Sequence, residues 1–123
     1  MNTHMATILL VDDSSFMRDR CAKLLSKEGH TIVHATNGKE GLEKYSQSKP
    51  DLVFMDITMP EMDGITAVEE IKKIDINAKI IMLSAVGQKE MVMKAIQKGA
   101  KYFIVKPFEP GKVLEVLSKF LPK

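Results

Sequence analysis

The 123-residue chain has no tryptophan, a single cysteine and few aromatic residues of any kind, at 6% of the total. One cysteine, Cys21, excludes an internal disulfide framework and suits a reducing compartment. No apolar run approaches the length that spans a bilayer, and the N-terminal Met1-Asn2-Thr3-His4-Met5 lacks the apolar centre of a signal peptide. A cytoplasmic protein with no membrane contact is the expectation. An excess of charge of either sign is missing too: 18 Lys and Arg stand against 16 Asp and Glu, a formal net charge of +2. The lysines are scattered, so solvated helix faces explain them better than a nucleic-acid surface does. Repeats, linkers and low-complexity tracts are absent as well. What is present, 45% hydrophobic and 28% charged residues, is ordinary for a globular protein, in a length that fits one domain over residues 1–123.

Two kinds of segment alternate along the chain. Thr7 to Val11, Thr31 to Ala35, Leu52 to Met55, Lys79 to Leu83 and Tyr102 to Val105 are short and rich in branched or aromatic residues, as strands are. Several are continuously apolar, which suits a parallel sheet covered on both faces. Between them lie helical stripes: Met17, Cys21, Leu24 and Leu25; Leu42 and Tyr45; Ile65, Val68 and Ile71; Val92, Ala95 and Ile96; and Val113, Val116, Leu117 and Phe120. Gly29 and Gly99 follow helices, and Asn37 with Glu40 three residues on resembles a capping box. Five strand-helix repeats in strict alternation predict an α/β fold, a (βα)5 doubly wound parallel sheet. Right-handed crossovers then bring every strand's carboxyl end to one edge, where such folds bind ligands.

The residues at those ends carry chemistry. They are Asp12 and Asp13 after the first strand, Asp56 after the third, Ser84 and Ala85 after the fourth, and Lys106 and Pro107 after the fifth. Three converging acids repel one another unless a cation compensates. Hard oxygen ligands of this kind suit Mg²⁺ completed by a phosphate, and a lysine opposite would help neutralise a phosphoryl group in transit. Each residue taken alone has a plainer role. Asp12 and Asp13 can cap a helix, Ser84 can belong to a turn, and Lys106-Pro107 can be a surface loop. Asp56 resists this, because it ends an apolar run where an unpaired charge is costly to desolvate.

Val11-Asp12-Asp13-Ser14-Ser15-Phe16-Met17-Arg18, Met55-Asp56-Ile57-Thr58-Met59-Pro60-Glu61-Met62-Asp63-Gly64, Ser84-Ala85, Gly99-Ala100 and Phe103-Ile104-Val105-Lys106-Pro107-Phe108 together resemble the receiver domain of two-component response regulators. The resemblance spans essentially the whole chain and looks closest to the stand-alone chemotaxis regulators. It implies a flavodoxin-like strand order of 2-1-3-4-5. It also implies that Asp56 is the phosphoacceptor for a sensor histidine kinase, and that Asp13, Asp56 and the Thr58 carbonyl bind Mg²⁺, with Asp12 reaching the metal through water. Lys106 would pair with the phosphoryl oxygens and precede a cis bond to Pro107. Ser84 and Ala85 would contact the phosphate, and Phe103 would swing inward behind them.

Some positions are variants of the family pattern. Ser84 replaces the commoner threonine, and Phe103 stands where chemotaxis regulators often have tyrosine. Thr58 and Val86 occupy rim positions that influence self-dephosphorylation in the family. A docking face is expected on the fourth helix, fifth strand and fifth helix, with Lys89, Met91, Lys94, Lys98, Lys101, Tyr102 and Lys112. Its partners by resemblance are a flagellar switch protein and a phosphatase, while Arg18 and Met17 could serve kinase docking. The chain would act as a monomeric switch, not as an enzyme on other substrates. The alternatives are a detached receiver of a longer regulator, a phosphorelay intermediate, or a haloacid-dehalogenase-type enzyme. Thr58, where the last would need a second Asp, counts against it.

Overall fold

Side chains with stiff branched Cβ atoms fill the strands, and stripes at helical spacing fill the segments between them. The computed structural model describes residues 5–121. Its strands β1 (Thr7–Val11), β2 (Thr31–Ala35), β3 (Leu52–Asp56), β4 (Ile80–Ser84) and β5 (Tyr102–Val105) alternate with helices α1 (Ser15–Lys27), α2 (Gly38–Ser48), α3 (Gly64–Ile74), α4 (Lys89–Gln97) and α5 (Pro110–Phe120). All five strands are parallel in one sheet ordered β2-β1-β3-β4-β5, the doubly wound, flavodoxin-like arrangement expected. Met1 to His4, most of the stretch read against a signal peptide, lies outside the described residues. Among the described residues no helix is long and apolar enough to cross a membrane.

Alternate side chains of the central strands enter two separate cores. Leu9, Val11, Val53, Met55, Ile80 and Met82 pack beneath α2, α3 and α4, while Ile8, Leu10, Leu52, Phe54, Ile81 and Leu83 pack beneath α1 and α5. Both faces being covered explains why these strands are unbroken apolar runs. Burying each such side chain contributes about 2 kcal/mol, so the central strands form a rigid base for whatever their ends carry.

Two boundaries differ from the sequence reading. β3 runs on through Asp56, and β4 covers Ile80–Ser84 where Lys79 to Leu83 was expected. Parallel register is the reason: Asp56 pairs with Leu83 and Ser84 with Val105. Lys79 only flanks the ladder, accepting from the Val53 N–H at 2.9 Å. Asp56 and Ser84 are therefore part of the sheet, while Asp12, Asp13 and Lys106 follow directly on strand ends. The capping box at Asn37 is also incomplete. Asn37 accepts from the Glu40 N–H at 2.8 Å. The Glu40 carboxylate, however, takes the Thr36 N–H at 2.6 Å and the Thr36 hydroxyl at 2.9 Å, one residue short of the cap.

Candidate functional site

The pairing of Val11 with Met55 delivers Asp12 beside Asp56 as the two strands end. Asp12, Asp56 and Ser84, at 1%, 6% and 2% exposure, are the buried polar or charged residues among those described. Asp13 is exposed beside them. One carboxylate oxygen from each of Asp12, Asp13 and Asp56 lies within 4.8 Å of the others. Lys106 completes the group: its Nζ stands 3.3 Å from Asp12 Oδ2 and 3.2 Å from Asp56 Oδ1. The Lys106 N–H donates to the Ser84 carbonyl at 2.7 Å, and its peptide bond to Pro107 is cis. Asp56 Oδ1 accepts a second bond from the Ile57 N–H at 2.9 Å.

The charges do not balance. Burial, then repulsion from Asp12, pushes the Asp56 carboxyl up to about 6 against the pull of Lys106 and the Ile57 N–H. For Lys106, burial opposes the charge, but Asp56 and Asp12 outweigh it and hold the ammonium above its usual value. One lysine facing three carboxylates leaves an all-oxygen donor set with surplus negative charge, which fits a hard divalent cation such as Mg²⁺.

The loops around the acids are tied down individually. Asp12 Oδ1 accepts the Ser14 N–H at 2.9 Å, and Ser14, not either aspartate, caps α1 through the Met17 N–H at 3.2 Å. Arg18, considered for kinase docking, turns its Nη1 back onto the Asp12 carbonyl at 2.6 Å. The Gly64 N–H donates to the Ile57 carbonyl at 2.7 Å, so α3 begins pressed against the backbone that carries Asp56. Asp63, the cap of α3, accepts from the Thr66 N–H at 2.9 Å.

Sequence reasoning missed Gln88, whose side chain joins Ala85 to Thr58 across the rim. Nothing in its local sequence marks it, since the contact spans 30 residues. Phe103 points outward at 41% exposure, at the lip of an open cavity of about 480 Å³ that also borders Val86, Lys106 and Lys112. Two members of the expected docking face also have ties toward α3: Met91 is half-buried against the core, and Lys98, exposed just after α4, pairs with Glu69 at 3.2 Å. Met93, Val86 and Val105 are exposed and line one cavity with Phe103.

Residues 8–118 match the family described as the response regulator receiver domain. This chain belongs to that family. The receiver is 57% identical over 113 residues to the chemotaxis protein CheY of Thermotoga maritima, covering 91% of this chain and 94% of that protein. It is 58% identical over 115 residues to the chemotaxis protein CheY of Bacillus subtilis, covering 93% and 96%. Among solved structures it resembles the CheX-CheY-BeF3-Mg complex of Borrelia burgdorferi, with a TM-score of 0.87 and 42% identity over 94% of this chain and 90% of that one. As a receiver domain of two-component signalling it is a switch component, and the acid cluster lies where such domains bind Mg²⁺.

Proposed function

We propose that the receiver accepts a phosphoryl group on Asp56 from the phosphohistidine of a sensor kinase, in a Mg²⁺-dependent reaction, and so controls binding to a flagellar switch protein in chemotaxis. The observation that carries this is the buried Asp56 carboxylate held 3.2 Å from Lys106 within a cluster of three acids. Asp56 Oδ1 already takes two hydrogen bonds, which leaves Oδ2 as the nucleophile. It attacks phosphorus, the new O–P bond forms as the N–P bond breaks, and the leaving electron pair returns to the histidine nitrogen. Lys106 then stands beside the transferred oxygens as a fixed positive charge. Asp13, Asp56 and the Thr58 carbonyl would hold Mg²⁺, with Asp12 reaching it through water, and its charge would offset that of the phosphoryl oxygens. Water later attacks the same phosphorus and restores the carboxylate, a step that a phosphatase would accelerate.

Ser84, next to Asp56 in the sheet, and the Ala85 N–H would contact the new phosphate. Phe103, exposed on the neighbouring strand, would then turn inward, changing the face that Met93, Val86 and Val105 share with it. The CheY name shared by the relatives at 57% and 58% identity favours chemotaxis over a phosphorelay role. A cytoplasmic monomer that catalyses only its own phosphoryl transfer and dephosphorylation fits this reading. Incubation with acetyl phosphate and Mg²⁺ should add one phosphoryl group, which is lost in Asp56→Asn. Labelling that survives that substitution would sink the assignment.

A further inference from the structure

Three helices take a side-chain cap from Ser14, Asn37 or Asp63, but Gln88, in the same position before α4, makes no capping bond. Its amide reaches over the candidate site instead. Oε1 accepts the Ala85 N–H at 2.7 Å, and Nε2 donates to Thr58 Oγ1 at 3.0 Å. Gly87, at φ +92, gives the loop the left-handed turn that brings Gln88 back onto Ala85. One neutral side chain thus joins the residue after Ser84 to the residue two beyond Asp56.

We propose that Gln88 is a positioning residue that clasps the rim of the site, and that its release is needed for a phosphoryl group to settle on Asp56. The inference rests on Asp56 being the acceptor. Any group arriving over Asp56 comes between Thr58 and Ala85, the two residues the clasp holds together, and competes with Oε1 for the Ala85 N–H. Both bonds are solvent-exposed, so water can replace them and the clasp opens reversibly. Its opening also reaches the docking side. The Gln88 carbonyl accepts the Val92 N–H at 2.9 Å to start α4, a helix of nine residues with no side-chain cap, so moving Gln88 disturbs the first turn of a short helix.

The test compares wild type, Gln88→Leu, Thr58→Val and the double variant in Mg²⁺ with acetyl phosphate, alongside hydrogen exchange of the Ala85 amide without donor. Leucine keeps the size of glutamine and removes both hydrogen bonds. Gln88→Leu should accelerate phosphorylation about fivefold, the worth of roughly one hydrogen bond, and should exchange the Ala85 amide faster by a similar factor. The double variant should be no faster than the quicker single one, because both remove the same link. Unchanged exchange, an unchanged phosphorylation rate, or fully multiplicative effects of the two substitutions would each overturn the clasp while leaving Asp56 as acceptor. Absence of label in wild type would instead overturn the acceptor reading and the gating with it, and the exchange data would still decide whether Gln88 holds Ala85.

Discussion

Replacing Gly64 with alanine should damage the fold at the point where the site is anchored. A Cβ built on Gly64 would lie 2.0 Å from the Asp56 carbonyl oxygen and 3.0 Å from both the Asp56 carbonyl carbon and Ile57 Cα. These atoms are backbone in or just after β3, whose residues are buried on both faces, so no flexible side chain can yield. Overpacking in such a place costs about 1–3 kcal/mol. Separation of the 2.7 Å bond between the Gly64 N–H and the Ile57 carbonyl adds about 1 kcal/mol. Together they give a loss of about 3 kcal/mol, a fall in Tm of roughly 10 °C, readable by urea and thermal denaturation followed by circular dichroism. Gly111→Ala is the matched control: nothing lies within 4 Å of its added Cβ and it sits inside α5, so it should gain about 0.5 kcal/mol from helix propensity. If Gly64→Ala is as stable as wild type, α3 does not press on Asp56 as described and the reasoning fails.

Lys106→Ala should lose about 1–3 kcal/mol in Mg²⁺-free buffer, because two buried carboxylates lose the ammonium beside them, and Mg²⁺ should restore part of it; equal stability without metal would contradict that charge-balancing role. The Tyr45 hydroxyl donates to Asp75 at 2.8 Å, and burial first, then Asp75, hold its ionisation above the usual phenol value. Stability from this group is full below about pH 10 and declines above it, since the unfolded chain gives up the proton first. Tyr45→Phe should therefore be less stable at neutral pH and show a flatter alkaline decline in denaturation series. Burial first, then the charge of Asp12, pushes the Cys21 thiol up to about 12, so an aromatic disulfide reagent at pH 8 should react with the unfolded chain and leave the folded one untouched. Rapid labelling of native protein would refute that burial.

Fold and site were unequally legible in the sequence. The sheet could be read because Leu9, Val53 and Ile80 face one core while Ile8, Phe54 and Ile81 face the other, and two buried faces leave an unbroken apolar run that marks a strand. Asp12, Asp56, Ser84 and Lys106 could be found because strict alternation sends every strand end to one edge. The strand order could not be found that way and rested on family resemblance. Glu40 and Gln88 escaped for a different reason: each has two or more acceptors or donors within reach, and tertiary geometry chooses among them. The ties of Met91 to the core and of Lys98 to Glu69 were not legible, because a helix nine residues long with apolar and basic residues on several sides does not announce which face meets α3.

The most direct measurement maps the phosphoryl group itself. Protein phosphorylated with acetyl phosphate and Mg²⁺ would be reduced with borohydride, which converts an aspartyl phosphate to homoserine, then digested and sequenced by mass spectrometry. Homoserine is expected at position 56 alone, dependent on Mg²⁺. Homoserine at Asp12 or Asp13, or none anywhere in protein that carries phosphate, would contradict it.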